Sequence, residues 1–201
     1  MNHGALLLTS TGLSTDTVVR QLKNLIQEKR EPVAIITTAA EEKELNKYAQ
    51  LAHTQFIDLG FTDIEFIDLQ AEPTRDFSKY GIIYVCGGNT FTLLKFAREA
   101  HFKETIKNLL EKDGTYIGVS AGSIILGRSI DVAGEVLDDK NDVDLKDLAG
   151  LDLVGAIILP HYSSELEKKT KIFEKKYGVT VERISNSQGI LIKNGQKTII
   201  E

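Results

Sequence analysis

Short apolar runs alternate with turn-prone polar stretches through the first half of the chain. Ala5-Leu6-Leu7-Leu8 is a continuous apolar run closed by Thr9-Ser10-Thr11-Gly12, the pattern of a strand covered on both faces. A helical period follows, with Val18, Val19, Leu22, Leu25 and Ile26 on one side and Ser14 or Asp16 placed to cap it. Val33-Ala34-Ile35-Ile36-Thr37, after Pro32, reads as a second buried strand. Residues 41–59 read as one long helix closed by Gly60, and residues 64–67 as a third strand. Residues 80–86 predict a fourth strand, running into Gly87-Gly88-Asn89-Thr90 and an amphipathic helix with Phe91, Leu93, Leu94 and Phe96. A further helical piece covers residues 103–112, and residues 115–119 form a fifth strand.

The second half is less regular. Residues 128–148, rich in Asp, Gly and Lys, read as a long surface excursion. Residues 151–159 are apolar and end in Pro160-His161. A charged helix over 164–177, capped by Ser163 or Ser164, precedes strands at 179–184 and 190–192. Asn194-Gly195 is a hairpin turn signal, so residues 197–200 pair back as a final antiparallel strand. Strands alternating with helices predict an α/β fold, a mostly parallel sheet flanked by helices on both faces. With no internal repeat or linker, residues 1–201 are expected to form one domain. In such sheets ligands sit beyond the C-terminal strand ends, where Gly87-Gly88-Asn89 and Ser120 both fall.

Composition narrows the function classes. A 42% hydrophobic, 26% charged chain has the balance of a soluble globular protein. The net charge of −5, with both signs mixed, argues against a nucleic-acid surface. No apolar run approaches a membrane span, and Met1-Asn2-His3-Gly4 lacks a signal-like lead, so a cytoplasmic location is expected. The single cysteine, Cys86, ends an apolar strand and reads as a buried structural thiol. No His/Cys/Asp grouping has zinc-like spacing, so neither a metal nor a cofactor is expected.

The chemistry-bearing stretch is Tyr116-Ile117-Gly118-Val119-Ser120-Ala121-Gly122. Gly118-x-Ser120-x-Gly122 between a strand and a short helix is the context of a nucleophile elbow. Such a turn strains the serine, requires small neighbours and exposes the hydroxyl at the sheet edge. The N–H of Ala121 and the start of the next helix face the same point. Glycines at 87 and 88 allow a second backbone donor to approach closely; the same turn would also suit a bound anion. A serine nucleophile needs a base. His3 is terminal, His53 lies on a helix and His101 lies between helices, whereas His161 directly follows an apolar strand behind a stiffening proline. The orienting carboxylate is not fixed by this reading, since Asp131, Glu135, Asp138, Asp139, Asp142 and Asp144 all lie between Ser120 and His161.

Three motifs occur together: Gly87-Gly88-Asn89-Thr90-Phe91-x-Leu93-Leu94, Tyr116-Ile117-Gly118-x-Ser120-Ala121-Gly122 and Pro160-His161. In order and spacing the chain closely resembles the serine peptidase family of aspartyl dipeptidase (dipeptidase E) and cyanophycinase. The resemblance implies a class I glutamine-amidotransferase-like fold, Ser120 as nucleophile, His161 as base, the N–H groups of Gly88 and Ala121 as oxyanion hole, and a short peptide as substrate. In the dipeptidase the acid is an aspartate fifteen residues after the serine. Counting without gaps puts Glu135 there, with Asp131 or Asp138 as alternatives if the spacing shifts, or a Ser–His dyad. The dipeptidase's Gly- and Arg-containing segment after the histidine has no counterpart, since this chain reads Tyr162-Ser163-Ser164-Glu165. A strict preference for N-terminal aspartate is therefore not carried over. A homodimer is compatible with the resemblance. A ligand-binding protein of the same fold, and an esterase or thioesterase using the same serine, are the alternatives.

Overall fold

The computed structural model describes residues 4–26 and 31–201; His3 lies outside them. Strands β1 (Ala5–Thr9), β2 (Val33–Ile36), β3 (Ile64–Ile67), β4 (Ile82–Val85) and β5 (Thr115–Val119) form the parallel part of a seven-stranded sheet. The hairpin β8 (Gly189–Lys193) and β9 (Gln196–Ile200) adds two antiparallel strands beside β1, giving the order β3-β2-β4-β5-β1-β8-β9. The Asn194-Gly195 turn closes that hairpin with both residues at positive φ, as its residue types allow.

Every residue of β1, β2, β4 and β5 is buried, because helices cover both faces. Helices α1 (Asp16–Ile26) and α2 (Lys47–Asp58) lay Leu22, Ile26, Ala52 and Phe56 against Leu7, Ile35, Tyr84 and Ile117. On the other face, α3 (Thr90–Glu99) and α4 (Phe102–Glu111) pack Leu94, Phe102 and Ile106 with Leu6, Ile83 and Tyr116. Alternation along each strand thus feeds two separate apolar layers. Among the described residues no helix is long and apolar enough to cross a membrane.

Two expectations need correction. Residues 41–59 are not one helix. A single 3₁₀ turn, Lys43–Leu45, stops at Asn46, whose extended backbone (φ −60°, ψ 130°) and side chain start α2 afresh; its Oδ1 accepts from Tyr48 N–H at 2.9 Å. Residues 128–148 are not all surface loop. They contain the short helix α6 (Asp131–Glu135), and Ile130, Val132, Ala133 and Val136 around it are wholly buried. Most polar residues of this segment face solvent, Asp139 accepts from Thr90 at the start of α3, and the few apolar residues join the core on the α3 side of the sheet.

A second, two-stranded parallel sheet pairs β6 (Ile157–Leu159) with β7 (Val181–Arg183). It is joined by α7 (Glu167–Tyr177), whose C-terminal Gly178 adopts φ +64°. Glu174 on α7 accepts from Val181 N–H at 2.9 Å and from both terminal nitrogens of Arg183 at 2.9 and 3.0 Å, so β7 hangs from this helix. The Arg183 bonds, against the opposing effect of desolvation, hold the Glu174 carboxyl below its ordinary range. A carboxyl whose pKa falls on folding contributes stability above its unfolded value of about 4.3 and loses it as pH drops through the lower folded value. Glu174→Gln is therefore expected to lower stability at neutral pH and to flatten the acid limb. Urea melts across that range test this; wild-type and variant stabilities that fall in parallel would contradict it.

Candidate active site

The ladder between β5 and β1 runs one residue past the strand, with Ser120 N–H donating to Thr9 C=O at 2.9 Å. The chain then turns sharply, placing Ser120 at φ +50°, ψ −110°, a region costly for any residue with a Cβ. Helix α5 (Ala121–Ile124) starts at once and is a single turn. The turn is possible because two neighbours lack side chains. A Cβ on Gly118 would lie 2.6 Å from Gly122 C=O, and one on Gly122 would lie 2.6 Å from Val85 C=O. Buried Ser123 locks the arrangement: its Oγ accepts from Thr9 N–H at 3.0 Å and lies 2.8 and 2.9 Å from the carbonyls of Thr9 and Gly118. Tyr116 donates its hydroxyl to Gly122 C=O at 2.7 Å.

His161 follows β6 and reaches Ser120 from the second sheet. Its Nε2 stands 2.9 Å from Ser120 Oγ and its Nδ1 2.8 Å from Asn186 Oδ1. An amide oxygen only accepts, so the contact with Asn186 favours the tautomer in which Nδ1 carries the hydrogen and the Nε2 lone pair faces the serine hydroxyl. The backbone of His161 is itself in the left-handed region, φ +56°. Its N–H donates to Ser10 Oγ at 2.9 Å, and Ser10 Oγ donates to Ile184 C=O at 2.9 Å. Thr11 Oγ1 donates to Asn186 C=O at 2.8 Å. The end of β1 and the loop after it thus contact all three pieces: the elbow through Thr9, the backbone of His161 through Ser10 and the backbone of Asn186 through Thr11.

Gly88 adopts φ +136°, and a Cβ there would stand 1.9 Å from Ala39 C=O, so no other residue fits. Asn89 N–H donates to that same carbonyl at 3.0 Å, and its Oδ1 caps α3 by accepting from Thr92 N–H at 2.9 Å. Neither Gly88 N–H nor Ala121 N–H donates to another group among the described residues. Burial pushes the Cys86 thiol up to about 12, so at neutral pH it is an inert core group, as the sequence suggests.

Neither Glu135 nor its alternatives Asp131 and Asp138 reach His161, whose ring partners are Ser120 and Asn186. Glu135 accepts from Lys176 Nζ at 2.8 Å and from the Tyr177 hydroxyl on α7. Desolvation, the largest single influence, raises its pKa, but those two bonds and the lysine charge outweigh it and hold the carboxyl below the usual range. Asp138 pairs with Lys169 at 2.6 Å, and Asp131 bonds Ser129. The group beside Nδ1 is Asn186, which sequence reasoning missed. It is not an acid, and it follows His161 in the chain rather than preceding it. Its signal was topological: β6 and β7 are parallel neighbours, so the loops after both emerge at the same edge.

A model of peptidase family S51 matches residues 6–201. The chain belongs to this family. It is accordingly a serine-type peptidase, a hydrolase. An uncharacterised peptidase of Pasteurella multocida is 32% identical over 176 residues, covering 83% of this chain and 84% of that one. Another from Listeria monocytogenes is 29% identical over 195 residues, 94% of each chain. A peptidase E of a Nostoc species is 27% identical over 165 residues, 79% of this chain and 65% of that one. Among solved structures, a candidate peptidase E from Listeria monocytogenes superposes with a TM-score of 0.79 at 27% identity over 98% of this chain and 97% of its own. The S51 chain presented here therefore has the expected α/β architecture.

Ser123→Ala leaves Thr9 N–H buried without an acceptor. This is expected to cost about 1–3 kcal/mol of folding stability. Chemical denaturation measures it; a loss under about 0.5 kcal/mol would mean that Ser123 does not lock the elbow.

Proposed function

We propose that the protein hydrolyses short peptides with Ser120 as nucleophile, His161 as general base and acid, and Asn186 as the residue orienting the imidazole. The observation that carries this is the 2.9 Å contact between Ser120 Oγ and an imidazole nitrogen left free to accept. Ser120 Oγ attacks the peptide carbonyl while His161 Nε2 takes its proton. The negative oxygen that forms is received by the N–H groups of Gly88 and Ala121. The imidazolium then gives its proton to the departing amine. A water molecule, deprotonated by the same Nε2, attacks the acyl-serine and releases the carboxylate product. Every proton in this cycle has a donor and an acceptor among these residues and water.

Asn186 holds the tautomer that this cycle needs, but its neutral amide supports the imidazolium less than a carboxylate would. Glu135 has no part in the cycle; it braces α6 against α7.

A fluorophosphonate probe is expected to label Ser120 in the wild type and to leave Ser120→Ala unlabelled, with peptide turnover reduced by ~10³-fold or more. Labelling elsewhere, with turnover intact in Ser120→Ala, would end the proposal. Steady-state assays of Asn186→Ala should show kcat/KM lowered roughly 10- to 100-fold, whereas Asn186→Asp restores or exceeds the parental value. Glu135→Gln should remain within about threefold of wild type. A large loss in Glu135→Gln alone would return the orienting role to that carboxylate.

A further inference from the structure

Beside Ser120 opens a chamber of about 450 Å³. Ser120, His161 and the Gly87-Gly88 turn line one side of it, and Leu13, Tyr48, Leu51, Tyr84 and Val119 supply the apolar walls. Its volume is in the range of small-ligand sites and accommodates a dipeptide. Three features of this wall bear on what fits.

The first is charge. Among the described residues no lysine or arginine lines the chamber, and its one carboxylate is Glu41, an exposed residue. Among the described residues Glu41 has neither an ion pair nor a hydrogen bond. The second is Tyr84. It is only 5% exposed, its ring stands edge-on to Phe56, and its hydroxyl has no hydrogen-bond partner among the described residues. Among the described residues, every side-chain nitrogen or oxygen sealed from solvent has a partner. Tyr84 lines the chamber with its hydroxyl set beside Gly12, and that hydroxyl is not among the atoms sealed from solvent. The third is the rim. Tyr48 and Leu51 on α2 are 66% and 53% exposed, and both border the opening. The Asn46 break that restarts the helix brings them there.

We propose that this chamber selects peptides whose residue beside the scissile bond is uncharged and apolar or aromatic, and rejects acidic ones. The proposal rests on the reading of Ser120 as the peptidase nucleophile. An apolar side chain entering here covers Leu13, Leu51 and Tyr48 and gains roughly 25 cal/mol per Å² removed from water. A carboxylate entering the same space loses hydration, meets no lysine or arginine among the described lining residues, and approaches Glu41. The Tyr84 hydroxyl provides one hydrogen bond at depth, to a peptide carbonyl or a hydroxyl-tipped side chain.

The experiment separates this proposal from the catalytic one. Ser120→Ala protein, which retains ligand without turning it over, is titrated calorimetrically with Phe-Ala, Leu-Ala and Asp-Ala. The expected result is that Phe-Ala and Leu-Ala bind at least tenfold more tightly than Asp-Ala. Adding Leu51→Ala, a substitution at an exposed helix position that the fold tolerates, should narrow that gap three- to tenfold. Equal or tighter binding of Asp-Ala, or no measurable binding of any of the three, overturns the proposal. Fluorophosphonate labelling of the wild type reports on the other reading. A labelled Ser120 with preference for Asp-Ala sinks the chamber assignment alone, and selective binding without labelling sinks the catalytic assignment alone.

Discussion

Ser120 owes its position to the hydrogens of two glycines. With φ at +50°, Ser120 occupies backbone space that an L residue enters only when its surroundings allow no alternative. Those surroundings are the carbonyls of Val85 and Gly122, each within 2.6 Å of where a side chain on Gly122 or Gly118 would begin. Burial of Ser123 between Thr9 and Gly118 removes the remaining freedom. The hydroxyl is presented because β4, β5 and β1 pack too closely for the chain to turn in any other way.

The imidazole comes from a different sheet. β6 and β7 do not join the seven-stranded sheet, yet their parallel pairing brings residues 161 and 186 out at one edge. What aligns that edge with Ser120 is the loop after β1, in which a hydroxyl from Ser10 and another from Thr11 grip the backbones of His161 and Asn186. The imidazole and the Asn186 amide are thus placed by hydrogen bonds to their own main chain, which are more rigid than a chain of side-chain contacts.

Much of this was readable in the sequence, for a consistent reason. Gly88, Ser120, Ala121 and His161 belong to places where the backbone must do something unusual at the end of a strand, and Gly, small residues and Pro record that locally. The buried strands were readable because burial on both faces leaves an unbroken apolar run. Asn186 left no such mark. It is a polar residue in a Ser-Asn-Ser turn, and only the pairing of β6 with β7, a contact between distant segments, gives it a neighbour. Glu135 misled because distance along the chain stood in for distance in space, and Lys176 and Tyr177 had already claimed it. The stop at Asn46 was hidden by a run of helix-forming residues on either side, although Asn is a strong cap. In residues 128–148 a few apolar positions were outnumbered by aspartates, so the docked turn of α6 read as solvent-facing chain.

Both members of the Ser120–His161 pair hold left-handed backbone, at φ +50° and +56°. Each such residue costs on the order of 1 kcal/mol or more relative to a glycine in the same conformation. Glycine at either position would therefore relax the chain while removing the hydroxyl or the imidazole. Sturdiness and the meeting of this hydroxyl with this ring draw on the same two torsion angles, so gaining one works against the other.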